Sequence, residues 1–170
     1  MGARAAVAGA FALLFAALTG PADAGRIVAY PTDYPPGAVL ISQSEKRLYL
    51  IVDAETAIAY PVAVAKRGKE WSGPARIAGK FVEPAWSPPD TVKRDHPELP
   101  DVIPGGSPSN PMGARAITLD RDEIAIHGTT TAMRASIGTA ASYGCIRMLN
   151  EDVIDLFERV AIGAPVMMMR

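Results

Sequence analysis

The chain has 170 residues, of which 49% are hydrophobic and 21% charged, and its formal net charge is −1. This length favours a single domain; the near-neutral charge argues against a nucleic-acid-binding protein, and the hydrophobic content argues against a disordered chain. Because 15 Gly and 15 Pro residues favour turns, we expect one compact, turn-rich domain rather than a helix bundle.

Residues 1–24 have the pattern of a secretory signal peptide. One basic residue, Arg4, precedes an uncharged apolar run over residues 5–18, and Ala22-Asp23-Ala24 forms a small-x-small cleavage site. The apolar run is shorter than the ~20 residues that span a bilayer, although an uncleaved membrane anchor is the alternative. We therefore expect cleavage after Ala24, export, and no stable membrane insertion of the mature chain.

Short β-rich runs follow a lead over residues 25–37, which is too short to be a second domain. Residues 39–42 and 47–52 are predicted to form a hairpin, because two β-rich runs flank a polar turn. Residues 57–65 are a third strand candidate, in which Pro61 favours an edge or a bulge.

The segment 68–113 is long and rich in proline, with one short strand predicted around residues 77–82. Loops of this length inside a compact domain are usually functional, so we expect a lid or a binding loop. Two further strands, residues 116–119 and 124–127, are joined by a tight turn.

One clear helix and a final strand complete the chain. Asn150 is predicted as the helix N-cap, with acidic residues in the first turn. Its apolar face is predicted to comprise Val153, Ile154, Phe157 and Val160. Gly163 is placed to end the helix, and residues 165–169 are predicted as a strand whose methionines contribute to the core.

The only cysteine, Cys145, excludes an intramolecular disulfide. In an exported chain a lone thiol is either a buried apolar side chain or a reactive group. A nucleophilic thiol needs a base, which here would be His127, His96 or a carboxylate. His127 is better placed, since it ends a predicted strand, whereas His96 lies in the proline-rich loop. One cysteine and two histidines fall short of the usual set of zinc ligands.

The neighbours of the thiol are suited to acyl transfer. Gly144 permits backbone conformations that leave amide N–H groups free to stabilise an oxyanion, worth about 3 kcal/mol per donor. Arg147, two residues after Cys145, would project to the same face of a strand and suits a carboxylate-bearing substrate. The alternative for Arg147 is a structural ion pair with a residue such as Asp152. The residues alone predict an exported thiol acyltransferase or peptidase.

The segments Ile126-His127-Gly128-Thr129 and Ser142-Tyr143-Gly144-Cys145-Ile146-Arg147 resemble the catalytic motif of L,D-transpeptidases with a YkuD-type domain. The resemblance extends over about residues 38–169 and includes segments 71–73, 86–89, 105–106, 110–116, 137–138 and 150–153. Tyr143 stands where the family often has His, and Thr130 where many members have Asn. The resemblance implies a mostly β, sandwich-like catalytic domain over residues 38–170, with one or two short helices and long loops.

The resemblance also implies a role for each site residue. Cys145 would be the nucleophile and His127 the general base and acid, while the backbone carbonyl of Gly128 orients the imidazole. The oxyanion hole would comprise the backbone amides of Tyr143, Gly144 and Cys145, and the substrate would be held by Ser142, Thr129 and Arg147. No metal or other cofactor is implied.

The implied reaction is peptidoglycan cross-linking in the periplasm. The thiolate attacks the carbonyl that joins the third stem residue, at the L-centre of a diamino acid, to the terminal D-Ala. D-Ala leaves, and the side-chain amine of a second stem captures the thioester as a 3→3 cross-link. Because one amide is exchanged for another, no ATP is needed. Inactivation by carbapenems follows, since the thiolate opens the lactam.

Other acceptors would use the same site. Capture by water makes the protein an L,D-carboxypeptidase, and capture by a protein lysine attaches proteins to the wall. A non-catalytic wall-binding module is the alternative of another class, and the presence of both Cys145 and His127 argues against it.

Overall fold

The computed structural model describes residues 25–170, so the predicted signal peptide lies outside the described residues. The strands are β1 (Arg26–Ala29), β2 (Val39–Ser42), β3 (Arg47–Ile51), β4 (Thr56–Pro61), β5 (Val64–Ala65), β6 (Gly73–Val82), β7 (Arg115–Leu119), β8 (Ala125–His127), β9 (Ala140–Ser142), β10 (Ile146–Arg147) and β11 (Pro165–Met169). The helices are α1 (Asp90–Asp95) and α2 (Asn150–Arg159), with a 3-10 turn at Arg134–Ser136. Within residues 25–170, neither helix has the length and apolar character that crossing a bilayer requires.

Nine strands form one sheet in the order β1-β4-β3-β2-β11-β6-β7-β8-β10, and β5 pairs with β9 separately. Strand β6 joins the two halves of the sheet, because residues 73–76 pair with β11 and residues 77–82 pair with β7. Side chains from both halves and from α2 share one buried core. The fold is therefore mostly β, as the residue patterns predict, and sandwich-like, as the resemblance implies.

The β2–β3 hairpin forms as predicted, and β3 is buried on both of its faces. Leu48 and Leu50 face the main core, whereas Tyr49 and Ile51 contribute to a second cluster. Side chains of the 25–37 lead and of β11 cover that second cluster, and β1 pairs with β4. The lead is thus packed against the sheet.

The third strand candidate, residues 57–65, divides into β4 and β5. Pro61 is the last residue of β4 and lies beyond the residues that pair with β1, so its missing N–H costs no ladder hydrogen bond on that side. The β7–β8 pair and β11 form as predicted. Met168 is buried, which confirms a core role for this methionine.

The prediction of a short strand near residues 77–82 is wrong in length, because β6 begins at Gly73. Gly73 and Pro74 are typical of turns, but β11 pairs with them and holds them extended. The remainder of the 68–113 segment contains α1 and long loops. Buried Asn110 ties these loops together, because its amide nitrogen lies 2.9 Å from the Pro84 carbonyl and 3.0 Å from that of Pro104.

The prediction that Asn150 caps α2 through its side chain is wrong. Leu149 occupies the N-cap position without a side-chain hydrogen bond, and Asn150 is the first helical residue. The predicted apolar face is also partly wrong, since Ile154 is 37% exposed and Leu156 is fully buried. Helix α2 packs against β7 and β8, and the residues that face these strands are the ones that are buried.

Candidate active site

A cleft of about 1580 Å³ lies between the 86–112 loops, the β7–β8 turn and the loop that precedes β10. The predicted site residues that line it are His127, Ser142, Tyr143, Cys145 and Arg147. The structure therefore brings together residues that are up to 20 positions apart in the sequence. Gly128, Thr129 and Gly144 adjoin these residues in the chain without lining the cleft.

The strands β8 and β10 place the reactive side chains. They are parallel neighbours in which Ile146 aligns with Ile126, and Arg147 aligns with His127. Cys145 immediately precedes β10, and the backbone N–H of Ala125 in β8 is close enough to its thiol to lower the pKa of that group. Thiol, imidazole and guanidinium therefore meet at one edge of the sheet.

The His127 imidazole is buried, with 4% of the residue exposed, and its Nδ1 lies 2.8 Å from the Gly128 carbonyl oxygen. Since a carbonyl only accepts, Nδ1 carries the proton and Nε2 is left as an acceptor. Burial lowers the pKa of His127 to about 4, and the Arg147 charge adds to this, while the carbonyls of Gly128 and Pro111 oppose it. At neutral pH the imidazole is uncharged and able to take a proton.

The Cys145 thiol donates a hydrogen bond to the Glu123 carbonyl, with 3.3 Å between sulfur and oxygen. Burial raises the pKa of Cys145, while the Ala125 N–H and the Arg147 charge oppose that change. Glu123 has a φ of +61°, a left-handed conformation that costs a non-glycine residue free energy. At neutral pH the resting site therefore holds a neutral thiol and a neutral imidazole.

Ser142 organises the loop that carries the thiol. The Ser142 side chain is buried; its Oγ donates to the Cys145 carbonyl at 2.5 Å and accepts from the Gly144 N–H at 3.2 Å. Trp71 Nε1 donates to the Gly144 carbonyl at 3.0 Å. The sequence motifs include Trp71, but nothing in their spacing shows that its indole supports this loop, because 73 residues separate the partners.

Asn150 holds the loop after His127 in place through hydrogen bonds. Its Oδ1 accepts from the N–H groups of Ala114 and Thr129, both at 3.1 Å, and its Nδ2 donates to the Thr129 carbonyl at 3.0 Å. Gly113 and Gly128 leave the space for this side chain, because a Cβ at either position would overlap Asn150 Oδ1. The sequence interpretation of Asn150 as a helix cap missed this role.

Tyr143 contacts the long loops. Its hydroxyl donates to Asp95 Oδ2 at 2.6 Å, at the end of α1. Lys66 Nζ lies 3.5 Å from the centroid of the Tyr143 ring and 3.8 Å from Asp95 Oδ2. The cluster Tyr143–Asp95–Lys66 therefore fastens α1 to the loop that carries the thiol.

Arg147 forms no ion pair with any of the described residues 25–170, so the alternative partner Asp152 is not in contact with it. Its guanidinium is free to meet a carboxylate in the cleft. His96 follows α1 as its C-cap residue, is half-exposed beside Glu98 and also lines the cleft. The buried Thr129 hydroxyl has no hydrogen-bond partner among those residues, and no cluster of metal-ligating side chains occurs among them.

The sequence matches the L,D-transpeptidase catalytic domain, YkuD, over residues 36–168. It is 34% identical over 137 residues to the Escherichia coli K12 protein named "Probable L,D-transpeptidase YbiS", an alignment that covers 75% of this chain and 43% of that relative. The chain thus spans less than half the length of that curated relative.

Solved structures show the same fold. L,D-transpeptidase 3 from Mycobacterium tuberculosis, in complex with a faropenem-derived adduct, has a TM-score of 0.62 at 16% identity and covers 80% of this chain and 61% of its own. A Brucella melitensis structure titled "Probable carnitine operon oxidoreductase caia" has a TM-score of 0.57 at 36% identity and covers 86% and 93%. On the match over residues 36–168, the chain belongs to the L,D-transpeptidase family with a YkuD-type catalytic domain.

Proposed function

We propose that the protein is a periplasmic peptidoglycan L,D-transpeptidase, which forms 3→3 cross-links through a thioester on Cys145 and releases D-Ala. The observation that carries the proposal is the meeting of Cys145, His127 and Arg147 in one cleft at adjacent parallel strands. Membership of the family supplies the reaction class. Residues 1–24 would be the leader and residues 38–170 the catalytic domain, with the 25–37 lead between them.

In the first half-reaction, the Cys145 thiol leaves the Glu123 carbonyl and attacks the carbonyl carbon of the L,D peptide bond. His127 Nε2 takes the thiol proton as the sulfur–carbon bond forms, because the neutral imidazole is an acceptor at neutral pH. The imidazolium then protonates the nitrogen of D-Ala as the carbon–nitrogen bond breaks. The Gly128 carbonyl keeps the imidazole oriented throughout.

The oxyanion formed on attack would be stabilised by the backbone N–H groups of Tyr143, Gly144 and Cys145. The Gly144 N–H donates to Ser142 Oγ in the resting site, so it would exchange that acceptor for the oxyanion. Arg147 would bind a substrate carboxylate, since its guanidinium lines the cleft without an internal ion pair among residues 25–170. The predicted substrate contacts of Ser142 and Thr129 are not retained, because the Ser142 hydroxyl is engaged within its own loop and the buried Thr129 does not line the cleft.

In the second half-reaction the side-chain amine of an acceptor stem attacks the thioester. His127 Nε2 accepts the amine proton, and the thiol is restored when the carbon–sulfur bond breaks. Water or a protein lysine would follow the same route and produce a tripeptide or a protein–wall linkage. The three outcomes share the acyl-enzyme and differ only in its acceptor, so product analysis separates them.

The proposal is tested by incubating the exported protein with purified disaccharide-tetrapeptide and analysing the products by mass spectrometry. We expect a dimer that has lost one D-Ala, and no product from Cys145→Ala. Tripeptide monomer alone would establish the carboxypeptidase, and an unmodified substrate with intact wild-type fold would refute the proposal. Cys145→Ala should melt close to the wild type, because a side chain that lines a cleft packs little.

Faropenem provides an independent test of the acyl-enzyme, because it forms an adduct with the M. tuberculosis relative. We expect a covalent mass increase on Cys145 in the wild type and none in Cys145→Ala. His127→Ala should sharply slow the reaction, and the same variant should slow alkylation by iodoacetamide near neutral pH. Unchanged alkylation kinetics would remove His127 from the pair.

A further inference from the structure

Asp152 is a buried carboxyl group for which the proposed mechanism has no use. It lies in the first turn of α2 and is 1% exposed. Its Oδ2 has no hydrogen-bond partner among residues 25–170, while the backbone N–H of Gly25 is close enough to the carboxyl group to lower its pKa. Burying a charged carboxylate costs free energy unless a cation pairs with it. Asp152 is therefore a buried group for which a cationic partner would be stabilising.

The cations near Asp152 are already paired with other carboxylates. Arg134 is engaged with Glu151, at 2.7 and 3.0 Å from its two carboxylate oxygens. On the other side, Asp155 accepts hydrogen bonds from Arg159, at 2.8 Å, and from the Tyr60 hydroxyl, at 2.6 Å. The charged and titratable groups that face Asp152 are thus Glu151, Asp155, Arg134 and Tyr60. Each cation here is bound to another carboxylate.

Gly25 is held against this cluster. Its φ is +59°, and a Cβ there would lie 2.5 Å from Ile58 Cγ2 and 2.7 Å from Tyr60 Cε1, so only glycine fits. The next residue, Arg26, pairs with Ala59 in the sheet and anchors the chain at this point. The nitrogen of Gly25 is also the atom that the predicted cleavage after Ala24 would release as an amine.

We propose that cleavage of the Ala24–Gly25 bond completes the fold by placing the α-ammonium group of Gly25 in an ion pair with Asp152. A leader peptidase adds one water across the bond, which leaves a carboxylate on Ala24 and an amine on Gly25, and the amine takes up a proton. The ammonium group has three donors where the peptide N–H had one, so the unpartnered Oδ2 gains a donor.

The ion pair between Gly25 and Asp152 would influence the candidate active site through α2. Asp152 lies two residues after Asn150, whose side chain fixes Ala114 and Thr129 beside His127. Stabilising the first turn of α2 therefore stabilises the contact that positions the loop after His127. The processed protein would hold this loop more firmly than the precursor, and this consequence stands whatever reaction the site performs.

The uncleaved chain has a distinctive pH dependence. Burial raises the pKa of Asp152 to about 6, and Glu151 and Asp155 add to this, while the Gly25 N–H and Arg134 oppose it. A carboxyl whose pKa is higher in the folded state binds its proton more readily there, so stability falls as the pH rises from about 4 to about 6. An ammonium partner removes this loss. The advantage of the processed chain should therefore appear between pH 4 and pH 7.

The test uses the full chain, exported with its own leader and purified from the periplasm of an expression host. Intact mass should show a protein that begins at Gly25. The comparison is a chain with Ser-Gly inserted between Ala24 and Gly25, whose mass confirms that the amine is two residues away. Both chains are also prepared with Asp152→Asn, which keeps the shape and removes the charge.

At pH 7 the insertion should lower the melting temperature by about 10 °C, as expected for a buried pair that loses one partner. At pH 4 the difference should largely vanish, and in the Asp152→Asn background it should be absent at both pH values. An equal effect of the insertion in both backgrounds, or no effect at pH 7, would overturn the proposal. So would an exported protein that begins at another residue.

A second measurement does not depend on any variant. The amine of Gly25, followed by NMR through the Gly25 ¹³Cα shift in protein labelled with [¹³C]glycine, should titrate above the ordinary α-amino range of about 7.7–8.0. A pKa within or below that range would contradict the ion pair.

Discussion

Replacing Asn150 by alanine removes three hydrogen bonds that hold the segment before β7 and the loop after His127. The lost contacts are the acceptor bonds from the Ala114 and Thr129 N–H groups, at 3.1 Å, and the donor bond to the Thr129 carbonyl, at 3.0 Å. At about 1 kcal/mol for each bond, the free energy of unfolding should fall by about 3 kcal/mol. For a chain of this length the melting temperature should fall by about 9 °C.

The same change should slow catalysis, because Thr129 follows the residue whose carbonyl orients His127. We expect kcat to fall about 10- to 100-fold, as small displacements of a catalytic group do, together with slower iodoacetamide alkylation of Cys145. Asn110→Ala is the comparison variant, since it also removes a buried amide but releases the loops around Pro84 and Pro104. Because the neighbouring Pro111 carbonyl also acts on His127, this variant should cost similar stability and raise KM more than it lowers kcat.

The stabilising role of Asn150 is refuted by a variant that melts within 2 °C of the wild type. The positioning role of Asn150 is refuted by a variant that loses stability but keeps its kcat and alkylation rate at a temperature where it is folded. In the first case the hydrogen bonds contribute nothing net. In the second case the loop after His127 is positioned by other contacts.

Tyr143→Phe keeps the ring and removes the hydrogen bond to Asp95, so KM for the tetrapeptide should rise about three- to tenfold with little change in kcat. Asp95→Asn should have the same effect. Additive effects in the double variant would contradict a direct contact between the two side chains. Because the pKa of His127 is lowered to about 4, the unfolded chain binds the proton more readily, so stability should fall as the pH drops from about 6.5 to about 4. Urea unfolding of His127→Gln should show a weaker dependence over that range, and an unchanged slope would contradict the assignment. Gly113→Ala should lower the free energy of unfolding by more than about 2 kcal/mol, because the new Cβ would overlap Asn150. Gly138→Ala, at a residue with positive φ and open space, should lower it by about 1 kcal/mol. Equal losses in thermal melts would exclude the clash with Asn150.

Several features of the protein follow from the sequence by itself. The β2–β3 hairpin, the β7–β8 pair and β11 are encoded locally, by alternation of apolar residues and by the turns between them. The candidates for the reactive groups are equally local, since the sequence offers a single cysteine and a histidine at a strand end. Local patterns are sufficient here because both partners of each interaction lie close together in the chain.

Only the tertiary structure decided the rest, because the partners are distant in sequence. Gly73 and Pro74 become strand residues through pairing with β11, and Asn150 turns from the expected helix cap to loops 21 and 36 residues away. Tyr143 meets Asp95 across 48 residues. Asp152, which the sequence offers as a partner for Arg147, lies instead against Gly25. Burial and hydrogen bonding of this kind depend on which elements pack together, and no spacing along the chain encodes that directly.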